Sequence, residues 1–114
     1  DHPMSDLRTR LRDDLMEAMR RRDRTEVSTL RTLISAIDNA GAVDIDAGPE
    51  PVLGLSPDVP RRQLTADEVT RIIQDESEHF RAASIEYAGL GRSEEAAVMA
   101  EKVLIVSRYL DDHL

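Results

Sequence analysis

The strongest constraint on the fold is the short interval around Asp23 that separates two amphipathic stretches. Ahead of it, Leu7, Leu11, Leu15, Ala18 and Met19 recur every three or four residues, the spacing that lines side chains along one face of an α-helix. Behind it, Val27, Leu30, Leu33, Ile34 and Ile37 do the same. Asp23-Arg24-Thr25-Glu26 matches a capping box, in which the first side chain accepts from the fourth residue's amide and the fourth side chain reaches back. That leaves two or three residues for the turn, and helices so closely joined lie antiparallel. The spacing predicts a first helix from about Asp6 to Arg22 and a second ending near Asn39 and Gly41, two residues that tolerate a left-handed cap. Arg20, Arg21 and Arg22 close the first helix, where cations meet the negative end of its dipole.

The second half repeats the plan after an interruption. Residues 41–64 hold four of the five prolines and three of the five glycines, and are expected to form a long loop. Val43, Ile45, Val52, Leu53, Leu55 and Val59 predict that part of it packs over the helices while 44–50 stays mobile. Thr65-Ala66-Asp67-Glu68 is a second capping box, opening a helix with Val69, Ile72, Ile73, Phe80, Ala83 and Tyr87 on its stripe. Gly89 or Gly91 stops it, and Ser93 caps a fourth helix bearing Ala96, Met99, Val103, Val106 and Leu110. Val103–Val106 is apolar on every side, as either central burial or a partner-facing surface requires. No alternating strand pattern occurs. The expected fold is all-α, two helical hairpins joined by a long Pro/Gly-rich loop, in one domain over residues 1–114. Residues 1–3, ahead of Met4, read as an addition to the natural start.

The core must be aliphatic, because the 114 residues include one Phe, two Tyr and no Trp. With no Cys, disulfides and thiolate metal sites are excluded, and a reducing, cytoplasmic setting is expected. No apolar run is long enough to span a membrane. The net charge of −8 is unevenly placed: residues 1–40 balance eight Arg with eight Asp/Glu, while residues 41–114 set seven Arg/Lys against fifteen Asp/Glu. Only the first hairpin is therefore attractive to phosphate.

Few constellations carry chemistry. Glu76 and His79 form an ExxH, but a carboxylate-bridged dimetal site needs a second such pair and further inward glutamates, so no metal is expected. Arg31 lies between Val27 and Ile34, and Glu76 between Ile72 and Phe80. Both fall on apolar stripes, which predicts a semi-buried ion pair between the hairpins or a ligand-binding pair. Arg8, Arg12, Arg20, Arg21, Arg22 and Arg24 make the first hairpin basic, although Asp13, Asp14, Glu17 and Asp23 dilute it and no aromatic accompanies it. Gly-rich phosphate loops, nucleophile elbows and HExxH zinc motifs are absent from the sequence. The candidate binding residues are Arg20, Arg21, Arg22, Arg24, Arg31 and Glu76, with no catalytic residue and no cofactor expected.

Several short patterns occur together in order: Leu15–Arg20 through Arg22-Asp23, Leu30-Arg31, Ala36–Ala40, Leu64–Val69, Tyr87 with Gly91-Arg92, and Tyr109-Leu110. Jointly they resemble YqeY-like proteins of the GatB/YqeY family, in the first of that family's two helical subdomains. The second subdomain is similar to the tail of the B subunit of glutamine-dependent tRNA amidotransferase, which engages tRNA. The resemblance implies an all-helical module and, at family level, carbon–nitrogen ligase activity with glutamine as amido donor. Together with the residues it gives a non-catalytic adaptor in the orbit of tRNA-dependent amidation or translation, meeting a protein partner through the first hairpin's arginines or through Val103–Val106. The alternative is direct binding of tRNA by the arginine-rich hairpin. The oligomeric state stays open.

Overall fold

The computed structural model describes residues 3–46 and 64–111, with side chains described for 7–41 and 64–110. Four helices account for nearly all of them: α1 Pro3–Arg21, α2 Arg24–Asp46, α3 Ala66–Gly89 and α4 Ser93–Asp111. No strand occurs among the described residues, so the all-α expectation holds. The helices form the hairpins α1–α2 and α3–α4, and α2 lies against both α3 and α4.

The core gathers side chains from every helix. Leu11 and Ala18 of α1, Leu30, Leu33 and Ile37 of α2, Val69 and Ile73 of α3, and Val106 and Tyr109 of α4 are at most 1% exposed. Leu7, Leu64 and Ile105 complete the cluster. Each buried Leu, Ile or Val contributes about 1.5–3 kcal/mol, so this aliphatic set is the principal source of stability. Between α3 and α4 the Ser84 hydroxyl donates to the Ala96 carbonyl at 2.9 Å.

Helix ends depart from expectation in instructive ways. The Thr65 capping box forms in full: Glu68 N–H donates to Thr65 Oγ1 at 3.0 Å and Thr65 N–H to Glu68 Oε1 at 2.8 Å. At Asp23 only half of the box forms, Glu26 N–H to Asp23 Oδ1 at 3.1 Å. The Glu26 carboxylate goes elsewhere, and Asp23 N–H donates to Ala18 O at 3.0 Å. Nor does α2 stop at Asn39–Gly41, since it runs to Asp46. A helix already nucleated propagates through one glycine at a cost of about 1 kcal/mol. The expected loop thus loses residues 41–46 to helix, and its remainder, 47–63, lies outside the described residues, with most of the mobility and packing expected there. Ser93 is the first residue of α4 and not its cap, because the carbonyl of Arg92 accepts from Ala96 N–H at 3.0 Å. The Val103–Val106 run divides: Ile105 and Val106 are buried, whereas Leu104 is 68% exposed.

Two helix C-termini share one geometry. After α3, Gly91 N–H donates to Ala88 O and Arg92 N–H to Tyr87 O, with Gly91 at φ 79°. After α1, Arg22 N–H donates to Met19 O and Asp23 N–H to Ala18 O, with Arg22 at φ 58°. Both are Schellman motifs, which call for a left-handed residue and usually use glycine. Arginine there carries a backbone cost of about 1–2 kcal/mol. Allowing for the extra freedom glycine gives the unfolded chain, Arg22→Gly is expected to raise stability by about 0.5–1 kcal/mol in chemical denaturation. An unchanged or lower value would show that Arg22 is not strained.

Candidate functional site

The polar groups fall into two sets, one used by the fold and one turned outward. Glu26 joins the first set because its α-helical neighbours Thr29, Leu30 and Leu33 are all buried. Its carboxylate, 8% exposed, accepts from Arg21 Nη2 and from Arg108 Nη2, each at 3.0 Å. Arg21 comes from the end of α1 and Arg108 from α4, so one carboxylate ties three helices. Each arginine keeps about half of its side chain in water (48% and 49%), which softens the desolvation cost of the junction.

Beside it, Tyr109 is fully buried and its hydroxyl donates to Asp14 Oδ2 at 2.5 Å. The guanidiniums of Arg10 and Arg108 lie over its ring, 4.7 and 5.8 Å from the centroid. Burial, and then the Asp14 carboxylate, push the phenol well above its ordinary range. A raised folded value leaves stability intact below the ordinary phenol pKa of about 10 and removes it as pH climbs from there. Elsewhere on the first hairpin, Arg8 pairs with Asp38 at 3.1 Å and Arg20 with Glu17 at 2.9 Å.

The second set lies at the turn between α1 and α2. Arg22, Arg24 and Arg31 line an open groove of about 550 Å³ with Met19, Val27 and Ser28. Residues 24, 28 and 31 repeat at helical spacing along one flank of α2, and Arg22 is brought in by its left-handed turn. Among the described residues none of these three arginines makes an ion pair or side-chain hydrogen bond. Met19 is 49% exposed and Val27 is half-buried. Lys102 of α4 donates to Ser28 Oγ at 3.0 Å, placing a fourth cation at the rim, and its ammonium lies over the Phe80 ring at 5.3 Å.

The six expected binding residues therefore separate. Arg22, Arg24 and Arg31 come together, while Arg20 and Arg21 are engaged by Glu17 and by Glu26 with Asp23. The expected Arg31–Glu76 ion pair does not form. Arg31 is exposed, Glu76 is half-buried, and they share a shallow groove with Thr32, Ser35, Ala36 and Asn39. The buried stripe of α2 is Glu26, Thr29, Leu30, Leu33 and Ile37, and that of α3 is Val69, Ile73 and Ser77. Arg31 and Glu76 therefore lie on the helix shoulders and not on the inner faces. Sequence spacing does not bring Met19 and Lys102 to this groove, because Met19 continues an apolar stripe and Lys102 arrives from another helix. The repeat Arg24-Ser28-Arg31 was the one signal for the groove in the sequence. A further groove along α3 mixes Arg71 and Arg81 with Asp75 and Glu78, so its charges offset each other. No three His, Asp or Glu side chains converge as a metal site among the described residues, and no described helix is long and apolar enough to cross a membrane.

The family model for YqeY-like proteins matches residues 8–114. No curated protein matches the chain.

Two outcomes follow from the buried junction. Glu26→Ala is expected to cost about 2–3 kcal/mol in denaturant unfolding, the scale of charge-assisted bonds whose cations stay half in water; a cost near zero would show the junction to be incidental. Tyr109→Phe is expected to flatten the fall of the thermal midpoint between about pH 9 and about pH 11. An identical fall in the variant would place the alkaline sensitivity elsewhere.

Proposed function

The chain belongs to the family of YqeY-like proteins, and on that premise we propose that it is a non-catalytic helical interaction module of the cytoplasm. It works beside tRNA-dependent amidation or translation and meets a protein partner through the groove at the α1–α2 turn. The observation that carries this reading is the group Arg22, Arg24 and Arg31, three guanidiniums unpaired among the described residues around Met19 and Val27. The fold does not need their charge, and a partner can use it. Amide-forming chemistry is assigned to the partner. A glutamine-dependent carbon–nitrogen ligase needs a nucleophile that releases ammonia and a site for ATP phosphates, and the groove supplies cations and apolar contact instead.

Direct tRNA binding is the second reading, favoured by the same guanidiniums, which are phosphate-binding chemistry. Capture from native lysate with the whole chain and with an Arg24→Gln/Arg31→Gln variant separates the two. The adaptor reading expects an amidotransferase subunit or a translation protein with the parent chain and a clear loss with the variant. Equal recovery on both removes the groove from the account. A gel shift with tRNA that is steeply salt-dependent and weakened in the variant would replace the adaptor reading with RNA binding.

A further inference from the structure

Resting on the interaction reading above, we infer that the groove at the α1–α2 turn takes an acidic protein segment carrying an apolar anchor, and not a nucleic acid. Three observations point to that chemistry. The rim is cationic, with Arg22, Arg24 and Arg31 on the groove and Lys102 held beside it by Ser28. The groove is also apolar, since Met19 and Val27 line it together with those cations. The third is backbone strain: Arg22 holds a left-handed conformation that Gly91 adopts in the matching turn, and strain kept at such a place is a pointer to use.

The geometry sets the partner's spacing. Arg24 and Arg31 lie two helical turns apart on α2, about 10 Å along the axis. A segment that places two carboxylates about two helical turns apart, with a Leu- or Met-sized side chain between them, satisfies both arginines while its anchor meets Met19 and Val27. Arg22 then closes the end nearest the turn. Nucleic acid fits less well. Phosphates gain nothing from apolar lining, and among the described residues no aromatic side chain lines the groove to stack a base. The excess of fifteen acidic over seven basic residues beyond residue 40 repels a long polyanion more than a short acidic segment.

The test is fluorescence anisotropy with a labelled helical peptide bearing two glutamates seven residues apart around a leucine. Controls are the same peptide with serine for leucine and a single-stranded RNA oligonucleotide. Micromolar binding is expected, weakened about tenfold by Arg31→Gln and about tenfold by loss of the leucine, each the scale of one good contact. Arg22→Gly is expected to raise the thermal midpoint while weakening the peptide, a combination that a purely structural arginine would not give. Equal binding of both peptides, tighter binding of the oligonucleotide, or unaltered affinity in Arg22→Gly overturns the inference. If no peptide binds but lysate capture through Arg24 and Arg31 succeeds, this chemistry is wrong and the adaptor reading stands. Peptide binding without a partner linked to amidation or translation sinks that assignment and keeps the groove.

Discussion

A carboxylate 8% exposed between two guanidiniums from opposite ends of the chain sets how the two hairpins meet. An ionised group in that position is tolerable only while its partners are present. Glu26 therefore couples the close of α1, the start of α2 and the last turns of α4. Tyr109 extends the junction: its ring is buried beneath Arg10 and Arg108, and its hydroxyl is spent on Asp14. The aliphatic core drives association of the helices, but such burial is non-directional. Paired charges at one end of the bundle give the packing its register.

Helix identity and the short turn were legible because both depend on local spacing. Leu11, Leu30, Leu33, Val69 and Val106 sit at the centre of stripes that periodicity alone locates, and the structure buries all five. The Thr65 capping box is equally local and forms as written. Legibility failed where a side chain had a choice. Glu26 has the spacing for a capping box, yet two arginines compete for its carboxylate, and one of them is distant in sequence. Arg31 and Glu76 are flanked by apolar residues, but periodicity does not settle which residue of a stripe lies at its centre. One step around each helix turned an expected buried pair into two residues on a shallow groove. Tyr109 lies off the stripe expected for α4, yet it is buried in the core because Asp14, distant in sequence, takes its hydroxyl.

The arginines of the first hairpin thus divide their labour. Arg21 ties α1 to α2, with Arg108 of α4 as its counterpart, while Arg8 pairs across to Asp38 of α2 and Arg20 pairs locally with Glu17. Arg22, Arg24 and Arg31 are turned toward the groove. A count of basic residues treats all of them alike, which is why charge alone suggests a broad basic face. Geometry narrows that face to one groove with apolar lining, set at a turn whose backbone would be better served by glycine.

That division is open to one direct measurement: the guanidinium NMR signals of the free protein, assigned residue by residue. Slow solvent exchange and restricted rotation are expected for Arg21 and Arg108, with fast exchange and wide averaging for Arg22, Arg24 and Arg31. Comparable restriction across all five would contradict the division, as would mobile guanidiniums at Arg21 and Arg108.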